Sequence, residues 1–146
     1  MPEKTAVKSK ASRGKGFTDA EKSAMRQRVK ELQSGRADGE TDVLEAIRNM
    51  APADRAQAER IHKIVRSTAP ALEPKTWYGM PAYARAGKVV CDFKPADKFK
   101  TRYATLEFQD QAQLDDGNMW PVAYALKQLT AAEEAKIAAL VKKAAG

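Results

Sequence analysis

A chain of 146 residues, 43% hydrophobic and 31% charged, carries enough apolar content for one buried core and too much for a wholly disordered chain. No run approaches the roughly 20 apolar residues that cross a bilayer, and Cys91, the one cysteine, excludes an intramolecular disulfide, so a cytoplasmic protein that does not enter the membrane is expected. The net charge of +7 points toward polyanions, yet residues 1–16 hold five Lys or Arg against Glu3, which assigns most of the excess to a basic flexible tail and makes nucleic acid a disfavoured partner.

No apolar segment follows the basic residues Lys4, Lys8 and Lys10, so export is not expected. Thr18-Asp19-Ala20-Glu21 reads as a capping box: a Thr hydroxyl and a Glu three residues later satisfy each other's orphan backbone donors. It opens a helix over 17–35 with a narrow stripe of Met25, Val29 and Leu32, an appendage to the domain proper at 36–146. Gly35 to Gly39 reads as a flexible joint. Thr41 caps a second helix with Val43, Leu44, Ile47 and Met50 on one face, and Pro52 ends it. The same Pro52 suits the first turn of a third helix, in which Ala58, Ile61, Ile64, Val65 and Thr68 recur at helical spacing.

From Lys75 the pattern turns extended. Trp77 to Tyr83 is expected to be one strand kinked at Gly79-Met80-Pro81, because Pro81 cannot donate to a ladder and Gly79 permits a bulge. Arg85-Ala86-Gly87-Lys88 supplies a hairpin reversal, and in Val89 to Phe93 alternation sets Val89, Cys91 and Phe93 against Val90 and Asp92. Arg102 to Phe108 alternates again, Asp115 to Asn118 is a loop, and Trp120 to Leu126 is a further strand. Thr130-Ala131-Ala132-Glu133, a second capping box, opens a terminal helix carrying Ile137, Leu140, Val141 and Ala144. Helices, an antiparallel meander and a last helix predict an α+β fold of two layers, an antiparallel sheet with helices packed on one face.

Candidate chemistry is sparse. His62 is the only histidine and falls beside an apolar helical stripe, and Cys91 falls with Val89 and Phe93, so both read as core or boundary residues. No nucleophile and base pair and no cofactor loop is visible, and an enzyme is not expected. Carboxylates alone can hold a hard cation such as iron, and Asp38, Glu40, Asp42 and Glu45 are the densest acidic run; acids complementing a helix N-terminus are the competing explanation. Trp77, Tyr78 and Tyr83, with Trp77 and Tyr83 sharing a face, stand beside Arg85 and Lys88, a combination that suits an anionic, planar or nucleotide-like ligand through stacking and charge. Core packing of the rings is the alternative.

Trp77-Tyr78-Gly79-Met80-Pro81-Ala82-Tyr83, with Ala69-Pro70 before it, Gly87-Lys88-Val89-Val90 after it and the C-terminal helix, resembles the YdhG-like domain family over about residues 40–144. The resemblance implies a frataxin-like α+β fold. It further implies an iron chaperone that binds ferrous iron through carboxylates and hands it to iron–sulfur or haem assembly proteins. The sheet region here is net basic, a departure from the acidic surface such a role calls for. Two expectations follow: a non-enzymatic binding protein that carries iron, or a module for an anionic small ligand or a protein partner.

Overall fold

The computed structural model describes residues 18–34 and 39–146. The basic tail, the joint at 35–38 and candidate ligand Asp38 lie outside the described residues. The described residues form five helices and five strands: α1 (Asp19–Ser34), α2 (Gly39–Arg48), α3 (Pro52–Thr68), β1 (Glu73–Trp77), β2 (Met80–Arg85), β3 (Lys88–Lys94), α4 (Ala96–Phe99), β4 (Ala104–Phe108), β5 (Ala123–Leu126) and α5 (Ala131–Ala145). The strands make one antiparallel sheet in the order β1-β2-β3-β4-β5, so β1 and β5 are its edges. The predicted α+β class is the class observed.

Both capping boxes form. Thr18 N donates to Glu21 Oε1 at 2.9 Å and Glu21 N to Thr18 Oγ1 at 3.0 Å, while Thr130 N donates to Glu133 Oε1 at 2.7 Å at the start of α5. Lys142 and Lys143 in the last turn of α5 oppose its negative dipole end. Pro52 opens α3, where its missing N–H would have had no partner in any case. The second helix begins earlier than its Thr41 suggests: Gly39 is its first residue and is buried, not part of a flexible joint. A Cβ at Gly39 would stand 2.1 Å from the Pro74 carbonyl oxygen, so this closeness of α2 to β1 requires glycine.

One core joins the elements. Val43 and Ile47 of α2, Ile61 and Val65 of α3 and Ile137 and Val141 of α5 are buried in the same cluster as Tyr83, Phe93 and Leu106 of the sheet. Leu44, expected on the buried face of α2, is instead 39% exposed, because Val43 and Ile47 already define the inward direction and Leu44 is turned about 100° from Val43. Met25 of α1 is 48% exposed, and the Val29 and Leu32 side chains lie outside what the structure describes. The helix contacts β1, and Ser23 lines a recess of about 250 Å³ with Met50, Gly79 and Lys98.

The aromatic segment differs from its expectation. Trp77 to Tyr83 is not a kinked strand but the end of β1, a two-residue reversal and β2. Tyr78 and Gly79 have φ of 54° and 79°, and Trp77 pairs with Met80 across them. Positive φ at both central residues is the type I′ pattern, whose twist matches that of the flanking strands. Ala86 and Gly87, at 51° and 81°, repeat the device between β2 and β3. Tyr83 pairs with Pro74, three residues from Trp77, so Trp77 and Tyr83 lie on opposite faces.

In β3 Cys91 and Asp92 lie in opposite rows, as the alternation predicts, and both are buried. Val90, Cys91, Asp92 and Phe93 are all fully buried, so the middle of this strand has no wet face. Cys91 stands in a row between Tyr83 and Phe108, while Asp92 stands in the opposite row between Ala82 and Glu107.

Candidate functional site

The five residues predicted to form an aromatic and basic ligand surface are not brought together. Tyr78 is 47% exposed at one end of β2, with its ring 5.4 Å from that of half-buried Trp77. Arg85 and Lys88 flank the turn at the other end, and five steps at about 3.3 Å separate the two turns by roughly 17 Å. Tyr83 between them is 1% exposed and unavailable to a ligand at the surface.

Tyr83 serves a different purpose. Its hydroxyl is 2.8 Å from His62 Nδ1, and His62 Nε2 is 2.9 Å from Glu40 Oε2. A carboxylate can only accept, so Nε2 carries the proton toward Glu40, and in the neutral ring Nδ1 accepts from the Tyr83 hydroxyl. Arg66 Nε lies 3.3 Å from Glu40 Oε1 and completes the group. The chain ties α2, α3 and β2 together and satisfies a buried histidine. Burial pushes the phenol of Tyr83 well above its ordinary range, and burial likewise pushes the Cys91 thiol up to about 12. Neither is a ready nucleophile.

Of the expected metal ligands, Glu40 is therefore already engaged by His62 and Arg66. Asp42 is half-buried and Glu45 exposed on α2. Among the described residues no three His, Cys, Asp or Glu side chains come close enough to hold a metal ion.

What the fold does assemble is a groove at the β5 edge. A cavity of about 590 Å³ lies between Ala53 and Gln57 of α3, Arg102 and Tyr103 ahead of β4, and Ala125 and Lys127 at the end of β5. A second recess of about 310 Å³ continues it past Arg60 and Leu129. Ala96, Ala104 and Leu126 add apolar wall. Small side chains keep the walls apart, and they belong to elements that the β4–β5 ladder brings side by side.

Charge in the groove is one-sided. Asp54 lines it, but this buried carboxylate accepts from the Ala96 and Asp97 N–H groups at 3.2 and 2.9 Å, capping α4. Arg60 is held by Glu134 at 2.8 Å and by the Leu129 carbonyl. Arg102 and Lys127 are exposed and, among the described residues, have no carboxylate partner. The Arg102 guanidinium lies 5.4 Å from the ring centroid of Tyr103, itself 42% exposed. This is a cation–π contact at the rim.

Arg102 and Tyr103 open the alternating stretch legible in the sequence, but nothing local marks them as a site. Lys127 gave no local sign of belonging with them. No helix among the described residues is long and apolar enough to cross a membrane. Comparison with known proteins returned no matching family model, no matching curated protein and no matching solved structure.

Proposed function

We propose that this is a non-enzymatic binding protein that takes a planar, anionic small ligand in the groove between α3 and β5. One observation carries the reading: Arg102 and Lys127, two cations with no carboxylate partner among the described residues, and a half-exposed Tyr103 line a cavity of about 590 Å³ with apolar walls. Apolar walls with a few converging polar groups are the usual make-up of a small-molecule site, and the volume is within the usual range of such sites. The ligand chemistry is the one expected for the aromatic and basic residues of the hairpin, moved to a different set. Iron carriage has weaker support, because it rests on the resemblance of Trp77–Tyr83 and on carboxylates of which Glu40 is already engaged.

Fluorescence titration with 8-anilinonaphthalene-1-sulfonate, an aromatic anion, tests the reading. The native protein is expected to bind the dye saturably, and the double substitution Arg102→Glu, Lys127→Glu to weaken binding by about a hundredfold, about tenfold for each charge reversed. Both side chains are exposed, so the melting temperature should hardly change. Dye binding unaffected by the double substitution would remove the groove from consideration.

A further inference from the structure

We infer that the ligand of this groove is a nucleotide, its base read by the free edge of β5 at Ala125, its ring stacked at Tyr103 and its phosphate held by Arg102 and Lys127. The inference rests on the anion-groove reading above and adds a hydrogen-bonding element that reading does not use. Phe108 N donates to Val122 O at 2.7 Å, which makes these two a hydrogen-bonded pair of the β4–β5 ladder. Leu106 faces Tyr124 and Ala104 faces Leu126 in the same register, so positions 122, 124 and 126 turn their N–H and C=O toward β4. Positions 123, 125 and 127 turn theirs away. The carbonyl of Lys127 confirms the direction, since it accepts from Gln57 Nε2 of α3 at 3.4 Å across the groove.

Because β5 is the last strand of the sheet among the described residues, the N–H and C=O of Ala125 have no strand partner there, and Ala125 is exposed and lines the groove. One residue thus offers a donor and an acceptor side by side. The edge of a nucleobase presents the complement, as adenine does with its N6 amino group and N1. A sugar phosphate has hydroxyls for this edge but no planar ring for Tyr103, and an acyl chain would set apolar atoms against the outward N–H and C=O. A peptide strand would also fit an open sheet edge, but Gln57 already bridges to the Lys127 carbonyl and Ala53 walls the same side, which leaves room for a ring rather than an extended chain.

Direct calorimetric titration of the full chain with adenosine 5′-monophosphate, ribose 5-phosphate and N6,N6-dimethyladenosine 5′-monophosphate decides the matter. Adenosine 5′-monophosphate is expected to bind at least about tenfold more tightly than either competitor, the tenfold being what one well-made hydrogen bond supplies. Ala125→Pro removes the outward N–H without touching the β4–β5 ladder, and should cost about tenfold for adenosine 5′-monophosphate. Equal affinity for adenosine 5′-monophosphate and ribose 5-phosphate, or for the dimethylated nucleotide, overturns the inference on the unaltered protein even if Ala125→Pro fails to fold. Absence of heat with adenosine 5′-monophosphate, beside dye binding that still depends on Arg102 and Lys127, overturns the nucleotide and leaves the anion groove standing. Loss of that dependence overturns both.

Discussion

Replacing Asp92 by Asn is expected to stabilise the protein at pH 8, on the order of 1–3 kcal/mol and several °C in melting temperature, and to change it little at pH 4. Asp92 is fully buried in the middle of β3, with Glu107 opposite it on β4, Gln109 Nε2 donating to Oδ2 at 2.9 Å and Lys94 two residues along its own strand. As an anion it leaves Oδ1 without a hydrogen-bond partner among the described residues. Protonated, it can donate to the Glu107 carboxyl, a hydrogen bond that two carboxylates cannot make with each other. Burial first, then Glu107, raise its pKa from 3.8 to about 7, against the smaller opposing effects of Gln109 and Lys94.

The sign of the pH dependence follows. Between about pH 4 and 7 the folded chain holds a proton at Asp92 that the unfolded chain has lost, so this group's stabilisation is full below the unfolded pKa and disappears as pH rises through about 7. Asn keeps an acceptor for Gln109 and a donor for Glu107 without ionising. Melting curves of the two proteins from pH 4 to 8.5 should therefore diverge with rising pH. Curves that run parallel would mean that Asp92 is ionised at no cost.

Gly39→Ala is the second large effect, a predicted loss of roughly 3 kcal/mol in urea denaturation. Alanine is the better helix former by about 1 kcal/mol, so propensity alone predicts the opposite sign. The added Cβ, however, would lie 2.1 Å from the Pro74 oxygen and 3.2 Å from the Pro74 carbonyl carbon. These are backbone atoms of β1 and have no rotamer to escape into. Separation of α2 from β1 would also carry the adjacent Glu40 away from His62, whose Nε2–H it accepts while Tyr83 occupies Nδ1. A neutral or stabilising outcome would contradict the packing of α2 on β1.

Local signals were readable in this sequence and long-range ones were not. The Thr18/Glu21 and Thr130/Glu133 boxes close over three residues, and the structure contains both. Ala86-Gly87 was read correctly as a reversal, but Tyr78-Gly79 was not, because an aromatic residue at positive φ is uncommon and Pro81 drew attention to a bulge instead. Tyr83 was assigned to a ligand surface because alternation along one continuous strand would set it on the same face as Trp77, with core packing as the alternative. Residues Met80 to Ala84 are all buried, so alternation in that strand says nothing about exposure.

The groove depends on pairings that no local pattern encodes. Arg102 and Lys127 meet because β4 and β5 pair across a long connection, and because Ala53 and Gln57 at the start of α3 lie against the far edge. Asp54, which looks like an acid inside a basic site, turns out to spend its charge on α4, and only coordinates reveal that partner. The acidic run on α2 failed in the opposite way. Glu40, close to Asp42 and Glu45 in sequence, is directed to His62 and Arg66 on the next helix.

The most direct measurement is a two-dimensional 1H–15N titration with 8-anilinonaphthalene-1-sulfonate. The amides of Tyr103, Ala125 and Lys127 should shift together and saturate together, while those of Tyr78 and Lys88, on the β1–β2 and β2–β3 hairpins, stay in place. Shifts confined to Tyr78 and Lys88, with Ala125 unmoved, would contradict the account.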